Sequence, residues 1–174
     1  MNKLAETVVI LLMFSGITFA QTTEELKASA LRDAKITTKA TLKFDFETVF
    51  KHTYPTVIDM MGGHEAGIAL LKSTFDNMKA EGFEYEKADI INVSNIIFEQ
   101  DEYRCCIESY NQMKIGAMRI KAKSYLLGIY NSEKEIWYFL EAKQLKNPSM
   151  ADMILPDFKT ELNIPDDEMT TEQL

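Results

Sequence analysis

Gly82 divides this chain into two halves with different hydrophobic periods. Before it, apolar positions recur at three- and four-residue steps, first through Leu26, Ala30 and Ala34 and later through Ile68, Leu71, Phe75 and Met78. After it, short stretches rich in Ile, Tyr and Phe alternate with polar breaks such as Gln100-Asp101-Glu102. Helices first and an antiparallel meander afterwards predict an α+β fold, with N-terminal helices packed on one face of a curved β-meander.

The helical half carries its own punctuation. Thr22-Thr23-Glu24-Glu25 sets a capping hydroxyl ahead of acids that suit a helix N-terminus, so a long helix is predicted from Thr23 to Leu42. Asp45 caps a short second helix ending near His52. Pro55 starts a third, which stops at Gly62, and a fourth runs over 64–81 with Gly82 as its C-terminal stop. Its apolar stripe is expected to face the strands after Tyr103. Strands are predicted over 84–93, 96–98, 103–112, 119–130 and 136–142, and a short helix over 149–155.

Residues 1–20 read as a secretory leader. Lys3 supplies the charged start, the stretch from Thr7 to Phe14 is apolar apart from Thr7, and Thr18-Phe19-Ala20 ends in a small-residue cleavage pattern. The run is shorter than the roughly 20 residues of a spanning helix. The expected organisation is therefore a signal peptide over 1–20, one α+β domain over 21–165, and an acidic frayed tail over 166–174. A secreted or periplasmic bacterial protein follows, with no stable membrane span after cleavage. The net charge of −8 argues against nucleic acid as a partner, since such binders need a basic footprint.

The layout resembles the nuclear-transport-factor-2-like and cystatin-like group of folds, and more narrowly small secreted bacterial proteins without an assigned activity. The residues that carry it are Thr53-Tyr54-Pro55, Gly62-Gly63, Ser124-Tyr125-Leu126, Trp137-Tyr138-Phe139, Leu155-Pro156 and Ile164-Pro165. The resemblance implies a cone-like sheet wrapped around a helix, often with a cavity inside.

Candidate chemistry is sparse. Tyr54, His52 and Asp59 lie close together in sequence and offer the acid–base and hydrogen-bonding groups of an isomerase or cyclase pocket, set against surface positions at a helix end. His52 and His64 are the two histidines, and neither has a ligand at metal spacing, so no metal and no cofactor are implied. Gly62-Gly63 ahead of His64 reads as a helix stop and restart, with anion binding as the sharper alternative. Cys105 and Cys106 are adjacent in a strand and point to opposite faces, which predicts two separate thiols. Residues 112–116, Gln-Met-Lys-Ile-Gly, fall at a predicted hairpin and faintly resemble the inhibitory loop of cystatins.

From Ser109 to Ser132 there is no acid, but Lys114, Arg119, Lys121 and Lys123 are present, the last three sharing one strand face. With a turn centred on Glu133, Trp137 falls opposite Ile129, on the face that also carries Tyr125, Lys121 and Lys123. That placement predicts an apolar-to-positive gradient able to take an amphipathic anion, with its tail at Trp137 and its head at Lys121 or Lys123. The functional expectation is a non-catalytic binding domain for a small apolar or amphipathic ligand or for a protein partner. An isomerase-like enzyme and a cystatin-like inhibitor are the alternatives, and a homodimer stays open.

Overall fold

The computed structural model describes residues 21–174, and the expected leader lies outside the described residues. Five α-helices pack against a six-stranded antiparallel sheet, an α+β fold with a curved meander. The helices are α1 (Thr23–Leu42), α2 (Phe46–Lys51), α3 (Pro55–Met60), α4 (His64–Ala80) and α5 (Pro148–Ile154). The strands are β1 (Phe83–Val93), β2 (Ile97–Glu99), β3 (Glu102–Ile115), β4 (Met118–Asn131), β5 (Ile136–Glu141) and β6 (Glu168–Gln173). A 3-10 turn, Ala142–Lys146, links β5 to α5.

Local chemistry sets the helix boundaries. Thr22 and Glu25 form a reciprocal capping box at the start of α1: the Thr22 amide donates to Glu25 Oε2 at 2.8 Å, and the Glu25 amide to Thr22 Oγ1 at 3.2 Å. Asp45 caps α2 by accepting from the Thr48 amide and hydroxyl. Gly82 has φ of 86°, the left-handed conformation that lets the chain leave α4 and enter β1 without strain.

Two long strands organise the sheet. β3 and β4 are each 14 residues and pair along almost their whole length, from Arg104–Ile129 to Ile115–Met118. Each is covered on its outer side by two shorter strands. β1 and β2 share the far side of β3, while β5 pairs residues 126–131 of β4 and β6 pairs residues 118–123.

Both faces of the β4–β5 ribbon are buried. On the inner face, Leu26, Ala30 and Ala34 of α1, at four-residue spacing, meet Cys105, Ile107, Trp137 and Phe139. Gly128 lies in this layer, where a Cβ would fall 2.9 Å from Cys105 Sγ and 3.3 Å from the Trp137 and Phe139 rings. On the outer face, Leu127, Ile129 and Leu140 meet Leu145, Ile154 and Leu155 from the segment after β5.

The stripe of α4 differs from expectation. Ile68, Leu71 and Phe75 pack on Phe46 and Phe50 of α2, and the Phe75 ring also meets Phe83 and Tyr85 at the start of β1. The strands after Tyr103 are already covered by α1, so α4 takes the flank. Phe75 is correspondingly half-buried.

The acidic tail is not a frayed end. Residues 168–173 form β6, and its acids answer the positive row on β4. Glu172 pairs with Arg119 and Lys121, Glu168 pairs with Lys123, and Glu86 of β1 also holds Arg119. Just upstream, Asp166 pairs with Lys146, and Asp167 accepts from the Tyr125 amide at 3.2 Å. The acid-free stretch and the base-free tail, each odd alone, are two halves of one interface.

These pairs make β6 acid-sensitive. Hydrogen bonds from Arg119 and Gln112 hold the Glu86 carboxyl at about 2, below its ordinary 4.5. Lys121 and Arg119 lower that of Glu172 as well. A depressed carboxyl contributes stability above its unfolded value and loses it as pH falls through the folded one. Protection of the β6 amides, corrected for the intrinsic exchange rate at each pH, should therefore fall as pH drops from 4.5 toward 2, and also with added salt, ahead of protection in β3. Uniform loss of protection across β3 and β6 would show that the ion pairs do not govern β6 separately.

Candidate functional site

The free edge of β5 is closed by three side chains or segments from the helical half. Alternate residues of an edge strand turn their N–H and C=O groups away from the sheet, and these need partners. The Trp137 N–H donates to Asp33 Oδ2 at 3.0 Å, and the Trp137 carbonyl accepts from His52 Nδ1 at 3.0 Å. The Phe139 N–H donates to the His52 carbonyl at 2.7 Å, and the Phe139 carbonyl accepts from the Tyr54 N–H at 3.0 Å. Asp33 is 2% exposed, and Arg32 Nε donates to its other oxygen at 2.8 Å.

Beside this closure lies a cavity of about 270 Å³ between α1 and the inner face of the sheet. Ala34, Thr37, Thr38 and Thr41 of α1 form one wall. Tyr85, Ala88 and Ile90 of β1, Ser109 and Asn111 of β3, and Ser124 and Leu126 of β4 form the sheet wall. Val49, His52 and Thr53, with Phe139 bonded to His52, and Glu141 and Gln144 complete the lining. Among the described lining residues Glu141 is the single carboxylate, and none is Lys or Arg.

The hydroxyl hydrogens of this lining are mostly committed. Thr37 donates to the Asp33 carbonyl, Thr41 to the Thr37 carbonyl and Thr53 to the Val49 carbonyl. Ser109 Oγ donates to the Ser124 carbonyl at 3.1 Å and lies 2.9 Å from Ser124 Oγ, which leaves Ser124 as the donor in that second bond. His52 Nδ1, donating to a carbonyl, must carry its hydrogen there. Glu141 Oε2 and Gln144 Oε1 are buried atoms with no hydrogen-bond partner. Lys143 Nζ stands 3.4 Å from that Glu141 oxygen as an ion pair, outside hydrogen-bond alignment. Burial, and after it the charge of Glu141, pushes the Tyr85 phenol up.

The residues singled out from sequence are not brought together. His52 lines the cavity, but its Nδ1 serves the β5 edge. Tyr54 packs with the outer-face cluster and meets the Tyr138 ring edge-on at 6.5 Å. Asp59 is exposed, in a separate depression of about 490 Å³ shared with His64 and Lys134. The Gly62 and Gly63 amides donate to the Asp59 and Ile58 carbonyls, which leaves neither free for an anion. Residues 112–115 end β3, flanked by β1 and β4, and Gly116 lies in the tight turn to β4, so the expected hairpin is present with all but its tip paired in the sheet.

The proposed gradient does not assemble either. The β4–β5 turn is one residue shorter than expected, pairing Asn131 with Ile136, so Trp137 lies opposite Tyr130. Trp137 is therefore on the inner face, wholly buried, while Lys121, Lys123 and Tyr125 share the outer face. Lys121 and Lys123 are held by Glu172 and Glu168.

Cys105 and Cys106 are both buried and unbonded to each other, on opposite faces. Burial raises both thiols, that of Cys106 to about 11, which leaves them protonated and unreactive at neutral pH. Among the described residues no cluster of metal-ligating side chains occurs, and no helix is long and apolar enough to cross a membrane. Sequence reasoning missed Tyr85, Glu141 and Gln144, for which no local motif exists. No family model, no curated protein and no solved structure matches the chain.

Proposed function

We propose that the protein is a non-catalytic binding domain that holds a small, polar-headed ligand in the cavity between α1 and the sheet. The observation that carries this reading is the cavity of about 270 Å³, a partly open space between α1 and the inner sheet face that gathers apolar walls, a carboxylate and several hydroxyls in one place. Its size lies near the lower end of ligand pockets, roughly 300–1,000 Å³, and it mixes apolar walls with convergent polar groups as such pockets do. Binding is favoured over acid–base chemistry because the oriented nitrogen of His52 faces a carbonyl and not a carboxylate.

Ligand-observed NMR against small polar-headed fragments tests the proposal. Hits should shift the amides of Ile90, Ser109 and Phe139, and Ala88→Leu, which fills the cavity, should abolish them without unfolding the protein. Binding that maps elsewhere, or survives Ala88→Leu, overturns the reading. We propose further that the domain works outside the cytoplasm, on the strength of the leader pattern in residues 1–20. The protein recovered from its cell should then begin at or near Gln21, and an intact Met1 would refute export.

A further inference from the structure

We infer that the cavity is selective for a cationic hydrogen-bond donor, an ammonium or amidinium group seated at Glu141 and Gln144. This rests on the cavity being a ligand site and names the chemistry it takes. The lining turns several hydroxyl lone pairs toward the cavity and holds one carboxylate. Thr37, Thr41, Thr53 and Ser109 have given their hydrogens to main-chain carbonyls, so those facing the cavity offer it oxygen lone pairs. Two further acceptor atoms of the lining, Glu141 Oε2 and Gln144 Oε1, are buried without a hydrogen bond, although the Glu141 side chain as a whole is 43% exposed and Lys143 stands 3.4 Å from that oxygen. Leaving a buried polar atom unsatisfied is costly, and a ligand able to donate to both would remove that cost.

Charge points the same way. Glu141 is the one carboxylate among the described lining residues, with no Lys or Arg beside it in the lining. The nearest cation, Lys143, is 61% exposed and stands between two acids, 3.4 Å from Glu141 and 3.8 Å from Asp167. One ammonium against two carboxylates leaves that part of the cavity negative. Thr38, Tyr85, Asn111 and the amide nitrogen of Gln144 supply the remaining donors of the wall, which suits a ligand that also carries a hydroxyl or carbonyl. An anionic head would meet Glu141 and the turned-in lone pairs, and would find no cation in the lining.

Calorimetric titration with a matched series separates the alternatives: phenethylamine, 2-phenylethanol and 3-phenylpropanoate share a ring that can rest on Phe139 and differ in the head. At neutral pH the amine should bind at least about tenfold tighter than the alcohol, the margin of one charge-assisted hydrogen bond, and the acid should not bind. Glu141→Gln, which keeps the shape, should erase the difference between amine and alcohol. Lys143→Ala, at an exposed position, should strengthen amine binding by freeing Glu141. Equal affinity for all three heads, preference for the acid, or an amine preference that survives Glu141→Gln overturns the cation assignment and leaves the cavity reading standing. If none of the three binds, and the wider fragment set gives no hits either, the cavity reading itself falls and the cation assignment with it.

Discussion

Replacing Trp137 with alanine should lower stability by about 3–5 kcal/mol, the range for emptying a large buried aromatic site. Trp137 heads the largest wholly buried side chains, at 0% exposure. Its indole Nε1 donates to Ser29 Oγ at 2.8 Å, and its ring lies 5.3 Å from that of Tyr130. It therefore ties α1 to the sheet twice, through apolar contact and through a hydrogen bond. Since domains of this kind are stable by roughly 5–15 kcal/mol, the loss is a large fraction of the total. Trp137→Phe keeps most of the contact and gives up the Ser29 bond, so it should cost less than half as much. Urea denaturation measures both, and a loss under about 1 kcal/mol for Trp137→Ala would contradict the packing of α1 on the inner face.

Arg104→Ala should cost about 3 kcal/mol, the lower end for breaking a buried ion pair. Its side chain is 4% exposed, and it clasps the β2–β3 turn to the chain beyond α5. Arg104 Nε and Nη2 both donate to Glu102 Oε2, while Nη1 donates to Gln100 Oε1 and to the Lys159 carbonyl. Phe158 lies under the guanidinium at 5.4 Å. Removing the cation leaves the Glu99 and Glu102 carboxylates without the charge that offsets them. Amide exchange should rise first at Lys159 and Glu161, whose N–H groups bond Gln100 and Glu99. Arg104→Lys should not restore stability, because one ammonium cannot match the fork that spans Glu102, Gln100 and Lys159. A lysine variant as stable as the parent would show that the clasp is only a charge contact.

The elements that sequence reveals well are those with local causes. Thr22 with Glu25, Asp45, Pro55 and Gly82 each act within a turn or two of chain, and α1 to α3 begin, and α4 ends, where they direct. Register is a different matter. The β4–β5 turn is closed by Glu135 at φ 53°, a left-handed residue without the glycine that would announce it, and by Asn131 accepting from the Lys134 amide. A shift of one residue there sends Trp137 to the opposite face from Lys121, and a ligand site drawn from parity moves with it. The cavity was hidden for a related reason. Thr37, Tyr85, Ser109 and Glu141 meet only after α1, β1, β3 and β5 have assembled, and none sits in a motif. The tail misled because its acids have no bases nearby in sequence; Glu168 finds Lys123 across 45 residues of chain.

That separation has a consequence during synthesis. At roughly 5–20 residues per second, a span of 45 residues takes about 2–9 s to make, so β4 waits that long for β6 to exist. Through the interval the edge at residues 118–123 is bare, and a bare strand edge recruits strands from neighbouring chains. Arg119, Lys121 and Lys123 stand on that stretch with their acidic partners on β6 still unmade. Glu86 and Glu108 already answer part of this charge, and Lys121 is left to set nascent copies apart at this edge. The row thus acts twice in the life of a molecule, first through its one uncompensated cation, Lys121, as a guard against association, and then as the dock for the strand that ends the need for one.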